Sequence, residues 1–509
     1  MEGRFMSPTA VPMAISAPSP LAAAAGTSLA RSGGNAVDAA IAAAMVAATT
    51  EPGLASLGGA AYVTISPPDG TRSVTIDGGV AVPGLEAGRA SQAEPDLRAI
   101  KLTYGGRMLD GHFGWASVAT PGCIAALCEA HSLQGSSSWA DVVAPAIEIA
   151  ASGFPLGASA AAYLAESASR VFASDPEIAS VVLDAQGHAV QEGATLRIPY
   201  LPGFLARLAR EGPGAFYAGT TAAGLASAMA LSGGRVTLQD LRSYRPASRD
   251  SLRGSFHSWT LFTNPKPAAG GIRLLSVLRH IAGAMDSRSE DAAYRAAIEA
   301  MARNLATPAP TASQADGQIH ESPSTVHVST VDSSGLACAV TLSSGYGAGV
   351  TVPQTGIWLA NSLGELELNR PGMYQQLAGV RIPSNMAPSV ARSQAGDVFA
   401  IGTPGAERIT SALSLVLAAV FFREYPVREA IRLPRVHVAL PESADPRLVL
   451  EFEANLPDLA RPRPGDFACR THPPYSMYFG GVNAAVLHPD GSLEAIADPR
   501  RNGSQMLVP

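Results

Sequence analysis

The sequence predicts an α+β protein, and three observations carry that reading. Its first three-fifths is dominated by helical stretches around a few short β runs, and the remainder is rich in strands. Between them lies a segment at about 304–324 that is rich in Pro, Ala, Ser and Gly and shows no apolar period, which reads as mobile. The 509 residues could hold two or three average domains or one large layered unit, and length alone does not choose. With 47% hydrophobic and 15% charged residues there is ample material for a core and no sign of overall disorder. The net charge of −6 is modest and no dense Lys/Arg cluster occurs, so neither nucleic acid nor an anionic membrane is implied. A small molecule is the expected partner.

Taken in order, residues 9–30 have the apolar and small residues of a secretory leader, but Pro12, Pro18 and Pro20 break the would-be apolar helix. A helix is predicted over 20–32, closed by Gly33-Gly34, which supply the positive φ that a helix end needs. Asn35 starts a second, Ala-rich helix over 37–48. Its apolar run carries Asp38 and falls short of the ~20 residues a membrane span requires, so it is expected to be a buried helix. Two β runs, 62–65 and 74–77, flank Pro67-Pro68-Asp69-Gly70 and predict a hairpin. A strand is expected over 112–118, then a helix from Thr120-Pro121-Gly122 through His131. Helical stretches follow around 140–152, 159–173, 203–211, 237–244 and 271–285. Beyond the mobile segment, strands over 325–332 and 337–342 form a hairpin across Ser333-Ser334-Gly335. Strands near 356–361 and 398–403 come next, then a helix over 409–422. No internal repeat is visible.

The chain offers few conventional catalytic signatures. Its four cysteines are scattered and lack Cys-x-x-Cys spacing, so buried free thiols are expected rather than disulfides or zinc. The ten histidines have no metal-ligand spacing, no phosphate-binding glycine loop ends in Gly-Lys-Ser/Thr, and no metal or cofactor is expected. What stands out is Ser324-Thr325-Val326-His327, where the mobile segment meets a strand. A hydroxyl at such a junction is either an ordinary β-forming strand edge or a self-cleaving N-terminal nucleophile. His327 shares a strand face with Thr325, and both a base and a structural hydrogen-bonding role are open to it. Gly402-Thr403-Pro404-Gly405-Ala406 lies between a strand and a helix. Its backbone N–H groups could face a developing negative charge, or the segment is a plain turn.

From about Met13 to Gly503 the chain resembles the γ-glutamyltranspeptidase family. The resemblance rests on Gly33-Gly34-Asn35-Ala36-Val37-Asp38-Ala39-Ala40, Glu51-Pro52, Leu57-Gly58-Gly59, the Thr-x-His of Thr325 and His327, and Ala497-Asp498-Pro499-Arg500-Arg501-Asn502-Gly503, all in the family's order. It implies the four-layer αββα sandwich of N-terminal nucleophile hydrolases. It also implies self-cleavage before Thr325 into a large fragment, 1–324, and a small one, 325–509, which stay together as a heterodimer in one compact unit. Thr325 would then be nucleophile and base in one residue, because its freed α-amine has a reference pKa of roughly 7.7 to 8.0. Ser343, otherwise a plain strand residue, falls where the family has a second supporting hydroxyl. Gly405 and Ala406 replace two adjacent glycines of the oxyanion site, which asks that Ala406 tolerate the local φ.

For the substrate, the resemblance implies an α-amino acid held at both ends. Glu365, in Asn361-Ser362-Leu363-Gly364-Glu365, falls where the family has Asp for the amine. Arg89 falls within one residue of the family's carboxylate-binding arginine, and Ser384 and Asn385 replace its two serines. Asn361 and Ser362 belong to the same pocket, and Ser362 replaces a glutamine. Two residues are missing between Ser344 and Gly345, and Gly78-Gly79 stand where an Arg-Glu pair is usual. The expectation is acyl hydrolysis or transfer on a γ-glutamyl-like or other amino-acid-derived substrate. Alternatives are a carbon-carbon bond hydrolase in antibiotic biosynthesis, or an unprocessed protein of this fold that binds an amino acid. As family members are often exported, the broken leader argues for a cytoplasmic location.

Overall fold

A computed structural model describes residues 9–86, 93–104, 107–284, 289–306, 324–365, 369, 372–441, 445–460 and 465–509. Strand alternation builds its centre. The first sheet comprises β1 (Met13–Ala17), β2 (Ala60–Ser66), β3 (Val74–Gly78), β4 (Ala247–Asp250), β7 (Val326–Asp332), β8 (Ala337–Ser343) and β13 (Ser504–Val508). The second comprises β5 (Leu252–Phe256), β6 (Trp259–Thr263), β9 (Ser389–Ser393), β10 (Val398–Gly402), β11 (Asn483–Leu487) and β12 (Leu493–Ile496). Their orders are β13-β1-β7-β8-β2-β3-β4 and β12-β11-β10-β9-β6-β5, with antiparallel pairing throughout. Both sides of the expected cleavage point contribute to each sheet, so the two parts of the chain share one core.

On β7 and β8, Val326, Val328, Cys338, Val340 and Leu342 enter an apolar core shared with α1 (Pro20–Arg31), α2 (Ala36–Thr50) and α3 (Cys123–Gln134). The alternate residues face the second sheet, which is covered outside by α4 (Gly270–Ala284) and α5 (Arg408–Arg423), with Phe421 stacked near Trp259 and Phe256. The layers are therefore helix, sheet, sheet, helix, as the resemblance implies. Between the sheets the apolar side chains are small: Ala14, Val331, Ala337 and Ala339 meet Val390, Val398, Ala400 and Ala485. Small residues let the backbones approach, and hydroxyls then bond across the gap. Ser16 Oγ donates to Ile496 O at 2.6 Å, Thr64 Oγ1 to Pro388 O at 2.9 Å and Ser329 Oγ to Asn483 O at 3.1 Å.

Many local expectations hold. Ser19 caps α1, Gly33 follows it at φ 87°, and Asn35 opens α2 in a capping box with Asp38. Others need correction. The strand expected over 112–118 ends at Phe113, because Gly114 turns the chain at φ 104° against Asp96 and a 3₁₀ turn, Trp115–Ser117, follows. The sequence pattern predicts none of β4 to β6, which lie in the helix-rich part; β4, Ala-Ser-Arg-Asp, has no apolar alternation to read. The helix Glu290–Ala306 enters the segment read as mobile from 304, and residues 307–323 lie outside the described residues. Cys123 and Cys338 are buried free thiols as expected, whereas Cys469 is exposed.

One contact pins the sheets together near the strand start. A Cβ on Gly402 would lie 2.2 Å from His327 Cε1, and the ring cannot retreat because Thr341 and Ser329 hold its two nitrogens. Gly402→Ala should therefore cost about 1–3 kcal/mol by overpacking and slow self-cleavage. Denaturant unfolding of Gly402→Ala in a Thr325→Ala background isolates the first effect; an unchanged midpoint would show that the sheets are free to separate there.

Candidate active site

Register places the chemistry. Val326 pairs with Leu342, so the preceding Thr325 comes beside Ser343 at the same end of β7 and β8. The Thr325 hydroxyl donates to the Ser324 carbonyl oxygen and lies 3.2 Å from Ser343 Oγ. Ser343 Oγ donates to the same carbonyl oxygen at 3.0 Å and accepts from the Gly345 N–H at 3.1 Å. A hydroxyl nucleophile thus sits against the peptide carbonyl it would attack, and a second hydroxyl already polarises that carbonyl. Ser324 is wholly buried, and Thr325 is 3% exposed.

His327 does not act on Thr325. Ser329 donates its single proton to Asn483 O, so it accepts from His327 Nε2–H, and Nδ1 accepts from the Thr341 hydroxyl. Burial holds this imidazole neutral, with its pKa pushed down to about 3. Its role is structural, the second of the two readings left open by the sequence.

Thr325 and Ser343 line a narrow cavity of about 50 Å³ together with Ala60, Gly79, Val80, Gly345, Ser362, Glu365, Ile382, Ser384, Asn385, Met386, Ala406 and Ile409. Of the expected site residues, Thr325, Ser343, Ala406, Ser362, Glu365, Ser384 and Asn385 are brought together here. Gly405 adjoins them behind Ala406, and Asn361 stands back from the wall. Its Oδ1 accepts from Tyr346 N at 2.8 Å and its Nδ2 reaches His112 O at 3.3 Å, so it shapes the turn after Ser343. Arg89 lies outside the described residues. Burial raises the Glu365 carboxyl to about 8, which leaves it largely protonated at neutral pH until a cation joins it. Gly345 is required beside it: φ is 59°, and a Cβ would lie 2.2 Å from Glu365 Oε1.

The strand-to-helix turn meets the condition set by the sequence. Gly405 has φ 130° and Ala406 φ 53°, so an alanine occupies the left-handed region. That costs about 1–2 kcal/mol relative to glycine-like freedom. Arg408 N donates to Gly405 O and Ile409 N to Ala406 O, while among the described residues no backbone acceptor takes the Gly405 or Ala406 N–H. Two donors at a helix start, next to the cavity, are suited to an oxyanion. The Gly78-Gly79 replacement also has a physical reason. A Cβ at Gly78 would lie 2.4 Å from Ala126 Cβ, and one at Gly79 2.4 Å from the Tyr62 hydroxyl. Tyr62, Tyr244 and the Asp77 to Arg381 pair fill the space beneath, Tyr244 OH donating to Gly79 O at 2.6 Å.

Comparisons with known proteins give the family of the chain. The family model for gamma-glutamyltranspeptidase matches residues 22–309 and 302–508. The chain belongs to the γ-glutamyltranspeptidase family. It is similar to the acylase ACY 1 proenzyme of Pseudomonas sp. strain SE83, with 29% identity over 534 residues, 96% of this chain and 92% of that relative. It is 26% identical over 532 residues to the glutathione hydrolase proenzyme of Escherichia coli K12, covering 93% of this chain and 88% of the relative. In fold it matches the crystal structure of cephalosporin acylase from Bacillus halodurans at a TM-score of 0.75 and 20% identity, over 99% of this chain and 97% of that one. Members of this γ-glutamyltranspeptidase family are self-processing enzymes of the N-terminal nucleophile type, and so is this chain.

Sequence reasoning missed the apolar walls, Ala60, Val80, Ile382, Met386 and Ile409, and the basic residue behind Asn385, Arg273. Gly270-Gly271 before a helical run was the available signal. A Cβ at Gly270 would lie 2.3 Å from Asn385 O and one at Gly271 2.2 Å from Asn264 O, so Gly270 lets α4 press flush against 384–386 and Gly271 lets it do so against Asn264.

Two outcomes test the site. Purified protein should separate into two fragments at Ser324-Thr325; Thr325→Ala should stay whole, and Ser343→Ala should slow cleavage by about 10²–10³, the effect of losing one donor to an oxyanion. Time-resolved denaturing gels read this, and Ser343→Ala cleaving at the wild-type rate would remove Ser343 from the reaction. Ala406→Gly should raise unfolding stability by about 1 kcal/mol through relief of the left-handed alanine; a loss of stability would contradict the strain.

Proposed function

We propose that Thr325 is the nucleophile of an acyl hydrolase or transferase whose acyl group is γ-glutamyl or a similar amino-acid-derived unit. The observation that carries the proposal is the Thr325 hydroxyl against the Ser324 carbonyl, with Ser343 bonded to the same oxygen. In self-cleavage, Oγ1 bonds to the Ser324 carbonyl carbon and its proton passes to the departing Thr325 nitrogen as the C–N bond breaks. Water then hydrolyses the ester, leaving a Ser324 carboxylate and a free Thr325 amine. Before cleavage that nitrogen is an amide and cannot serve as a base; afterwards it can. In turnover the amine takes the Oγ1 proton, Oγ1 attacks the substrate's amide carbonyl, and the proton goes to the leaving amine. Water or an acceptor amine then releases the acyl group. Gly405 and Ala406 N–H groups stabilise the oxyanion in this scheme, and fragments 1–324 and 325–509 remain one heterodimer.

Glu365 receives the substrate's amino group, and Ser384 and Asn385 its acid end. Ser362, Asn385 and the tight Gly345 turn differ from the family's usual pocket, which supports a pathway-specific amino-acid-derived substrate in preference to glutathione. The names of the similar relatives, an acylase and a glutathione hydrolase, support amide cleavage in either case.

The pH profile is the sharpest test. Both Glu365, whose carboxyl stands near 8, and the freed Thr325 amine must lose a proton. The logarithm of kcat/KM for a γ-glutamyl anilide should rise with a slope near two below about pH 7. Glu365→Gln should reduce that slope to about one and raise KM more than tenfold, with self-cleavage unchanged. Equal slopes in the two proteins would exclude Glu365 as the amine's partner, and faster turnover of glutathione than of other acyl donors would overturn the altered selectivity.

A further inference from the structure

The wall of the cavity formed by residues 384–386 is held in place by the start of α4. Ala269 and Gly270 N–H groups donate to Ser384 O at 2.8 and 3.0 Å, and Asn264 Nδ2 donates to Met386 O at 2.7 Å. The backbone of 384–386 is thus fixed on the start of α4. From the first turn of that helix, Arg273 Nη1 donates to Asn385 Oδ1 at 2.8 Å. A guanidinium has only donors, so the amide atom facing it is the oxygen. Asn385 lines the cavity, and with Oδ1 committed to Arg273, its Nδ2 hydrogens are what it offers there. Ser384 is oriented in the same sense: its Oγ accepts from Met386 N at 3.2 Å, which leaves its proton to be donated.

We propose that Arg273 is a specificity-determining positioning residue, which acts through Asn385 by fixing the amide with its donors toward the cavity. The wall at Ser384 and Asn385 then presents N–H and O–H groups alone, and selects ligands ending in a carboxylate over the same ligands without one. An unrestrained asparagine could turn its oxygen inward and repel a carboxylate; a serine at 385 would need no such restraint, because a hydroxyl rotates freely. Arg273 is thereby the compensation for Asn385 at this position. The inference rests on the acyl-binding reading of the cavity, but its test is binding and not turnover.

Calorimetry on purified wild type, Arg273→Met, Asn385→Ser and the double variant, with L-glutamate and 4-aminobutyrate as probes, isolates the α-carboxylate by which the two differ. Wild type should prefer glutamate by at least about tenfold, as a charge-assisted hydrogen bond warrants. Arg273→Met should abolish most of that preference with 4-aminobutyrate binding within twofold of wild type, and Arg273→Lys should restore much of it. In the Asn385→Ser background, Arg273→Met should change nothing. A wild type that binds neither probe or shows no preference overturns the proposal. So does an equal loss for both probes, or an Arg273→Met effect that persists with serine at 385, since each would mean that Arg273 merely supports the fold. Loss of catalytic turnover with this binding pattern intact would sink the acyl-transfer reading alone.

Discussion

The position of Thr325 depends on a buried imidazole that never reaches it. His327 is neutral, bonded through both nitrogens to hydroxyls of its own sheet, and covered by the bare backbone of Gly402 from the other. Asn483 closes the same contact by donating from Nδ2 to His327 O at 3.0 Å. A polar ring fully satisfied at the sheet interface stabilises the fold; the same ring with one nitrogen unpaired would cost about 1–3 kcal/mol. Because the next inward-facing residue toward the strand start is Thr325, any shift of the ring would move the Thr325 hydroxyl away from Ser343 and the Ser324 carbonyl.

Around that rigid centre, unfavourable features gather at the cavity. Ala406 adopts a left-handed φ, and Glu365 is buried deeply enough to hold its proton to about pH 8. Each opposes folding locally and each has a use at this place. Among the described residues the left-handed turn leaves N–H groups without backbone acceptors, and a desolvated carboxyl gains most when a cation joins it. The packed sheets and the nearly all-buried α2 supply the stability that tolerates them.

Much of this was legible in the linear chain. Caps, glycine stops and alternation located α1, α2, the β2 to β3 hairpin and the β7 to β8 hairpin, since those signals act over a few residues and are little altered by context. The junction at Thr325 and the turn at Gly405-Ala406 were legible for the same reason. The strand that ends at Phe113 was misread and β4 to β6 were missed, because their pairing partners, not their own pattern, define them.

The sequence by itself determined which residues could carry the chemistry: a threonine heading a strand, a second hydroxyl on the next one, and a carboxyl and an amide further on. Tertiary structure alone decided their relations. Strand register set Thr325 against Ser343, close sheet packing made His327 a neutral brace in place of a base, and the approach of α4 turned Asn385 through Arg273, 112 residues away in the chain. Local order follows from steric preferences of neighbouring residues. Protonation, amide orientation and strain follow from burial and from long-range partners, which a chain acquires only when it folds.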